Sequence, residues 1–148
     1  MKKILITLCV AMVAVAASAQ GTFSRKDNIL SVGVGGGYGF TTDVKWEINV
    51  LDGICKGKGG IGVGAATGTN FDDRFMLAAQ ANFHYEFVDN LDTYAGLSLG
   101  GDFMYDDAFY LGAQVGTRYY FKGNPHWALM GEFGYGLSFA KIGFTYKF

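Results

Sequence analysis

Apolar and polar residues alternate with period two along most of the chain. In residues 75–87, one parity holds Phe75, Leu77, Ala79, Ala81, Phe83, Tyr85 and Phe87, and the other holds Met76, Ala78, Gln80, Asn82, His84 and Glu86. Residues 109–121 show the same alternation. Because successive side chains of a β-strand point to opposite faces, each segment is predicted to be a strand with one apolar and one polar face.

Eight segments follow this pattern, and turn-forming residues separate them. The predicted strands are 28–39, 44–51, 60–66, 75–87, 93–103, 109–121, 126–137 and 140–148. The single proline, Pro125, falls in a predicted turn, where it removes no hydrogen bond from a strand ladder. No helical period competes, and no apolar run after residue 20 approaches 18 residues. The chain after residue 20 is therefore predicted to be all-β.

The composition of the polar parity indicates which face meets water. It is rich in glycine, at Gly33, Gly35, Gly60, Gly62, Gly64, Gly96, Gly100, Gly112, Gly116, Gly134 and Gly136. A water-facing surface has no need of so much glycine, whereas the interior of a narrow eight-stranded barrel is only just wide enough for side chains. Aromatic residues near the strand ends fit the girdles of a membrane barrel. We predict an eight-stranded antiparallel up-and-down transmembrane β-barrel, with a soluble small-ligand-binding β-barrel as the alternative.

Overall composition excludes several other classes of protein. The 148 residues include 23 Gly, 16% aromatics, one Pro and two Cys. Collagen would need periodic glycine with abundant proline, a disordered chain would lack the aromatics, and a disulfide scaffold would need more cysteine.

The first nineteen residues are predicted to be a signal peptide. Lys2 and Lys3 precede an apolar run over 4–17, and Ala17-Ser18-Ala19 supplies a small-residue cleavage site before Gln20. The run is shorter than the roughly 20 residues of a membrane-spanning helix. Residues 20–148 then form the barrel domain. Cleavage removes Lys2 and Lys3, which leaves 10 basic and 13 acidic residues and a formal charge of -3. No basic excess remains to attract nucleic acid, and Cys55 has no intramolecular disulfide partner.

The chain resembles the small, porin-like outer-membrane β-barrel proteins of Gram-negative bacteria. The resemblance rests on Ala17-Ser18-Ala19 and on segments 92–100, 112–121, 132–136 and 143–148. It implies export by the Sec route, contact with outer-membrane lipids and lipopolysaccharide, and help from periplasmic chaperones and the barrel assembly machinery. It also implies a C-terminal insertion signal formed by Phe144, Tyr146 and Phe148. Members include adhesins, structural proteins, narrow pores and a few lipid-modifying enzymes, so the resemblance fixes the architecture rather than the role.

With the apolar parity outward, a set of polar and charged side chains is predicted to fill the barrel interior. These are Lys45, Glu47, Asn49, Gln80, Asn82, His84, Glu86, Gln114, Arg118, Glu132, Lys141, Thr145 and Lys147. Buried charges need partners. We expect a charge network of Lys45, Glu47, His84, Glu86, Arg118, Glu132 and Lys141, in which Arg118 pairs with Glu132 on the neighbouring strand. The network either plugs the barrel or lines a narrow conducting route.

Few residues indicate catalysis or cofactor binding. Residues 57–62 match G-x-G-x-x-G, but a strand rather than a helix follows, so a dinucleotide site is not expected. With only two histidines, neither a metal site nor another cofactor is predicted. We predict no enzymatic activity and a structural or porin-like role. The alternative is a lipid-modifying enzyme that uses His84, although period two places this residue in the lumen rather than toward lipid.

The predicted surface loops carry an excess of carboxylates, at Asp43, Asp72, Asp73, Asp106 and Asp107, with Arg74 as the only base. Two interpretations are open. The acidic residues keep the loops soluble, or divalent cations bridge them to anionic lipopolysaccharide head groups.

Overall fold

Eight antiparallel strands form a closed barrel in the computed structural model, which describes residues 27–37, 39–72, 74–103 and 108–148. Each strand pairs with the next, and the first pairs with the last. The strands are β1 (Asn28–Gly36), β2 (Thr41–Gly53), β3 (Gly59–Thr69), β4 (Phe75–Val88), β5 (Leu91–Asp102), β6 (Ala108–Phe121), β7 (Asn124–Tyr135) and β8 (Ala140–Lys147). The predicted fold class is confirmed, and the predicted signal peptide lies outside the described residues.

The barrel has two different ends. The end at which β1 begins and β8 ends has short connections: the helical turn α1 (Ile54–Gly57) after β2, and tight turns at 89–90 and 122–123. We call it the turn end. Cys55 and Lys56 of α1 adopt left-handed backbone angles, with φ of 52° and 63°, and the Cys55 thiol is free and exposed. The opposite end, which we call the loop end, holds the other four connections. Among the described residues, no helix is long and apolar enough to cross a membrane.

The apolar parity faces outward, as predicted. Along β4, even-numbered residues from Met76 to Glu86 are buried, whereas Phe75, Leu77 and Phe83 are 42–51% exposed. The other strands alternate in the same sense. A soluble barrel would show the reverse, so the outer surface suits hydrocarbon and the inner one suits polar groups.

Inward-facing glycines provide the space that large interior side chains occupy. A Cβ atom on Gly116 would lie 2.6 Å from Cζ of Tyr94, its partner across the β5–β6 ladder. A Cβ on Gly62 would overlap the carboxylate of Glu47. Outward-facing Gly131, by contrast, has no atom within 4 Å of the position of a Cβ. Glycine is therefore needed at these inward positions, because a Cβ atom there would collide with the side chains that fill the interior.

Several strand boundaries differ from the prediction because backbone pairing, rather than hydropathy, decides where a strand begins and ends. β2 begins at Thr41, which pairs with Gly35, and not at residue 44. Asp43 consequently lies inside the barrel and not in a surface loop. Pro125 is the second residue of β7 rather than part of a turn, and it follows a register shift at Tyr120/Phe121 that already interrupts the ladder.

Substituting inward and outward glycines should have different effects on stability. Gly116→Ala should lower the free energy of unfolding by about 1–3 kcal/mol, the usual cost of overpacking, because the added methyl group displaces the Tyr94 ring. Gly131→Ala, at the residue next to Glu132, which pairs with Gly116 across the β6–β7 ladder, should change it by no more than about 0.5 kcal/mol. Urea unfolding of the vesicle-inserted barrel measures both, and equal effects would contradict the steric role of Gly116.

Candidate functional site: the barrel interior

The turn-end half of the interior holds a cluster of buried ion pairs, the turn-side cluster, made of Glu47, Asn82, His84, Asp92 and Arg118. Nη2 of Arg118 donates to Oε2 of Glu47 at 2.7 Å, and Nη1 donates to Oδ2 of Asp92 at 3.3 Å. Nδ2 of Asn82 donates to the other oxygen of Glu47. Arg118, Glu47 and Asp92 are each 1% exposed. Hydrogen bonds between ionised groups are roughly twice as strong as those between neutral groups.

His84 lies between the same two carboxylates. Its Nε2 is 2.7 Å from Oε1 of Glu47, and its Nδ1 is 2.9 Å from Oδ1 of Asp92. Ionised carboxylates only accept hydrogen bonds, so both ring nitrogens must donate, which requires the imidazolium form. Two positive and two negative groups then balance within the cluster.

A second cluster, the loop-side cluster, lies nearer the loop end and comprises Asp43, Lys45, Glu132 and Lys141. Nζ of Lys45 donates to both carboxylate oxygens of Glu132, at 2.6 and 2.7 Å. Nζ of Lys141 bridges Asp43 at 2.6 Å and Glu132 at 2.8 Å. The formal charge of this cluster is also zero. Each of the two clusters is thus electrically neutral.

Tyr94 joins the two clusters. Its hydroxyl donates to Oε2 of Glu132 at 2.7 Å, and Cζ of Arg118 lies 4.3 Å from the centre of its ring. A parallel chain of neutral side chains also reaches Glu47. Ser98 donates to Gln114, Gln114 donates to Asn82, and Asn82 donates to Glu47. Tyr94 therefore joins the clusters through one hydrogen bond and one cation–π contact, and the neutral chain extends the turn-side cluster from Glu47 to Ser98.

The predicted pair between Arg118 and Glu132 is wrong. Arg118 pairs with Glu47 and Asp92, whereas Glu132 pairs with Lys45 and Lys141. In the β6–β7 register, Arg118 lies opposite Met130 and Glu132 lies opposite Gly116, so the two charges are diagonal rather than facing. Asp92 is directly opposite Arg118 on β5, and closure of the barrel brings Glu47 within reach across the lumen.

Sequence reasoning missed two members of these clusters. Asp43 and Asp92 were placed in connections, yet both lie on the inward parity of strands that extend beyond the predicted ends. Extending the alternation past the apolar core of each strand would have found them, because Asp43 is in phase with Lys45 and Asp92 is in phase with Tyr94.

The other residues that were predicted to fill the interior lie at different levels between the turn end and the loop end of the barrel. Asn49, Gln80, Gln114 and Thr145 are buried, and Thr145 shares a hydrogen bond with Ser31. Glu86 is 3% exposed near the turn end, where it accepts from the backbone N–H of Asn90. Lys147 lies at the turn-end rim, 3.6 Å from Asp27, and is partly exposed.

An apolar layer closes the loop end above the charged clusters. It consists of Ala66, Met76, Ala78, Tyr110 and Leu137, all buried. Leu137 and the next residue, Ser138, come from the β7–β8 connection and fold into the mouth of the barrel, where they are 3% and 5% exposed. Beneath them is a cavity of about 20 Å³ whose lining includes Lys45, Glu132 and Ser138. This volume holds about one water molecule.

Arg74 spans the same mouth. Its Nε donates to Oδ2 of Asp102 at 2.7 Å, and its Nη1 donates to the carbonyl oxygen of Gly136 at 3.2 Å. Of the predicted acidic rim, Asp43 lies in the loop-side cluster and Asp72 is exposed. Asp73, Asp106 and Asp107 lie outside the described residues. The rim is therefore less acidic than the sequence suggests, because Asp43 is directed inward.

No metal centre forms within the described ranges, where no group of three or more His, Cys, Asp or Glu side chains is placed to hold an ion. His84 is 2% exposed and enclosed by carboxylates. Lipid in the surrounding bilayer does not reach it.

Comparisons with known proteins agree with this geometry. The model of the outer membrane protein beta-barrel domain family matches residues 5–148. The chain belongs to this family. Membership of this family places the barrel in the bacterial outer membrane, and the apolar outer surface of the barrel agrees with that location.

A designed protein has the same fold as this outer-membrane barrel. It comes from work described as "De novo design of transmembrane beta-barrels" and shares 21% sequence identity, with a TM-score of 0.68. The alignment covers 84% of this chain and 98% of the designed one. At this identity the likeness concerns the fold alone. No curated protein matches the outer-membrane barrel.

Removing the charge of Arg118 should strongly destabilise the barrel. Arg118→Met leaves Glu47 and Asp92 buried with less compensation, so the free energy of unfolding should fall by about 3–5 kcal/mol, as for other broken buried pairs. Lys122→Met removes a charge from an exposed turn and should change it by no more than about 0.5 kcal/mol. Urea unfolding in vesicles measures both variants.

A double-mutant cycle should assign the partner of Arg118. Arg118→Met combined with Glu47→Gln should be much less destabilising than the sum of the single changes, because the two side chains touch. The cycle with Glu132→Gln should show a weaker coupling, since only Tyr94 connects the two groups. A stronger coupling to Glu132 would contradict the arrangement of the two clusters.

Proposed function

We propose that this protein is a structural, non-conducting element of the outer membrane. The observation that supports the proposal is the set of ion pairs and hydrogen bonds that fills the lumen from Asp43 to Asp92, joined at Tyr94 by a cation–π contact with Arg118. An ion that crosses the barrel would have to separate buried pairs such as Lys45–Glu132 and Arg118–Glu47. Separating such pairs costs several kcal/mol each when water cannot replace the lost partner.

The apolar layer at the loop end supports the same proposal. Leu137 and Tyr110 occupy the mouth through which a solute would enter, and Arg74 ties the segment that carries Leu137 to Asp102. A porin-like pore would need this layer and both clusters to open together. The cavity between them is about 20 Å³, which is too small for a hydrated ion to pass.

We infer that the protein has no catalytic role. The lipid-modifying alternative needs a reactive group that meets an acyl chain or a head group. His84 instead holds Glu47 and Asp92 together on the lumen side of the wall. Its ring nitrogens are both engaged as donors, so neither is free to accept a proton from a nucleophile.

We further infer that the outward side chains of β8 take part in biogenesis. Phe144, Tyr146 and Phe148 share the lipid-facing parity, and the Tyr146 ring packs against Trp127 and Phe148 at centroid distances of 4.9 and 5.0 Å. A terminal row of aromatics suits recognition by the barrel assembly machinery after Sec export and escort by periplasmic chaperones. Once the barrel is inserted, the same row contacts outer-membrane lipids.

Conductance in planar bilayers tests the plugged lumen. The wild-type barrel should show no stepwise current. A variant that removes one balanced pair from each cluster, with Lys45, Glu47, Arg118 and Glu132 all changed to Ser, and that also opens the apolar layer, with Tyr110 and Leu137 changed to Ser, should conduct, because water then replaces six large side chains.

A control variant, Asp52→Ser with Lys56→Ser, removes two opposite charges near the exposed β2–β3 turn and should remain silent. Heat-modifiable migration on gels verifies that each variant is folded. Stable, reproducible current from the wild-type barrel would overturn the proposal whatever the variants do.

A further inference from the structure

The β7–β8 connection enters the mouth of the barrel as a short segment, the plug, made of Gly136, Leu137 and Ser138. Leu137 and Ser138 are buried although they belong to no strand. A Cβ atom on Gly68 would overlap Cδ2 of Leu137. Gly68 belongs to β3, which lies opposite β7 in the closed barrel. The side chain of Leu137 therefore crosses the lumen and meets the far wall.

An ion pair between Arg74 and Asp102, which we call the latch, ties the plug to other strands. Nη1 of Arg74 donates to the carbonyl oxygen of Gly136 at 3.2 Å, and its Nε donates to Oδ2 of Asp102 at 2.7 Å. Arg74 comes immediately before β4, and Asp102 ends β5. The side chain of Arg74 is 26% exposed, so the latch lies at the boundary between the lumen and the water outside.

The backbone on either side of the plug differs in how firmly it is held. Gly136 has a φ of 142°, a conformation that glycine adopts far more readily than other residues. At the other side, the backbone N–H of Phe139 donates to the carbonyl oxygen of Gly36 at 2.9 Å, which continues the pairing of β8 with β1. Rotation about Gly136 therefore moves the plug without breaking a strand.

The closed position of the plug leaves two buried polar atoms unsatisfied. Neither Oγ of Ser138 nor Oδ1 of Asp102 has a hydrogen-bond partner among the residues that the structure describes. Such atoms regain a partner when they meet water, so their burial disfavours the closed position. Burial of Leu137 and the hydrogen bonds of Arg74 favour it, and the opposing contributions are of similar size. A single side chain therefore decides how often the plug is closed.

We propose that the plug is a hinged lid over the loop-side half of the lumen, and that the latch of Arg74 and Asp102 keeps it closed most of the time. Opening connects the cavity beneath the plug, whose lining includes Lys45, Ser98 and Lys141, with the water outside. The turn-side cluster stays in place, so the barrel carries no current in either position. The lid thus controls entry of water and small polar molecules, a role additional to the structural one.

The reactivity of a thiol beneath the plug measures how often it is open. Ser98→Cys is combined with Cys55→Ser, which leaves the barrel domain with a single thiol. The reagent is an uncharged methanethiosulfonate, so the interior charges do not attract or repel it. Adding Arg74→Met should raise the reaction rate about tenfold or more, because the closed position loses hydrogen bonds made by a charged group.

Ser138→Ala should have the opposite effect on the same thiol. It removes a hydroxyl that has no partner in the closed position, so closing becomes more favourable and the reaction rate should fall by about threefold or more. This variant keeps the proposal open to contradiction if Arg74→Met fails to fold. Heat-modifiable migration on gels verifies the fold of every variant.

Thr145→Cys with Cys55→Ser supplies the matched control. Thr145 is fully buried and lies near the turn end of β8, away from the plug, so its reaction should stay slow with or without Arg74→Met. Three results would overturn the proposal. These are an unchanged or lower rate at Ser98→Cys after Arg74→Met, an unchanged or higher rate after Ser138→Ala, and equal acceleration at both reporter positions, which would show general loosening of the barrel.

Discussion

The ion pairs that bind Arg118 to Glu47 and Asp92 are the interaction on which the rest of the structure depends. A membrane barrel places hydrocarbon on its outside, so water cannot reach interior charges through the wall. Each charge must therefore find its partner within the lumen. The two clusters meet this requirement with four basic and four acidic groups, when His84 is counted as imidazolium. Tyr94 connects the clusters, because its hydroxyl donates to Glu132 and its ring contacts the guanidinium of Arg118.

Close pairing across a narrow barrel also explains the unusual composition. Glu47 and Tyr94 reach their partners because Gly62 and Gly116 offer no Cβ atom in their paths. The aromatic residues lie mostly on the opposite parity, where they contact lipid. Glycine and aromatic residues are abundant for different reasons, and the wall of the barrel separates the two roles.

The strands, their order and the direction of each side chain follow from the sequence because period two is a local property. The partners of each charge do not, because they depend on closure of the sheet. Nothing local to Arg118 indicates that β2 lies across the lumen. Hydropathy begins β2 at residue 44, so it leaves Asp43 outside the strand. The apolar layer is not predicted either, since Leu137 falls on the outward parity of the predicted strand 126–137 but folds over the mouth from a connection.

Thiol reactivity at one interior position tests the dry, filled lumen most directly. Ser98 is 5% exposed and begins the hydrogen-bonded chain that reaches Glu47, whereas Cys55 is exposed in a turn and serves as the reference in the wild-type barrel. In a variant with Ser98→Cys and Cys55→Ser, a water-soluble methanethiosulfonate should react far more slowly than it does with wild-type Cys55. Reaction at a similar rate would show that water fills the lumen, and it would contradict a barrel closed by its own ion pairs.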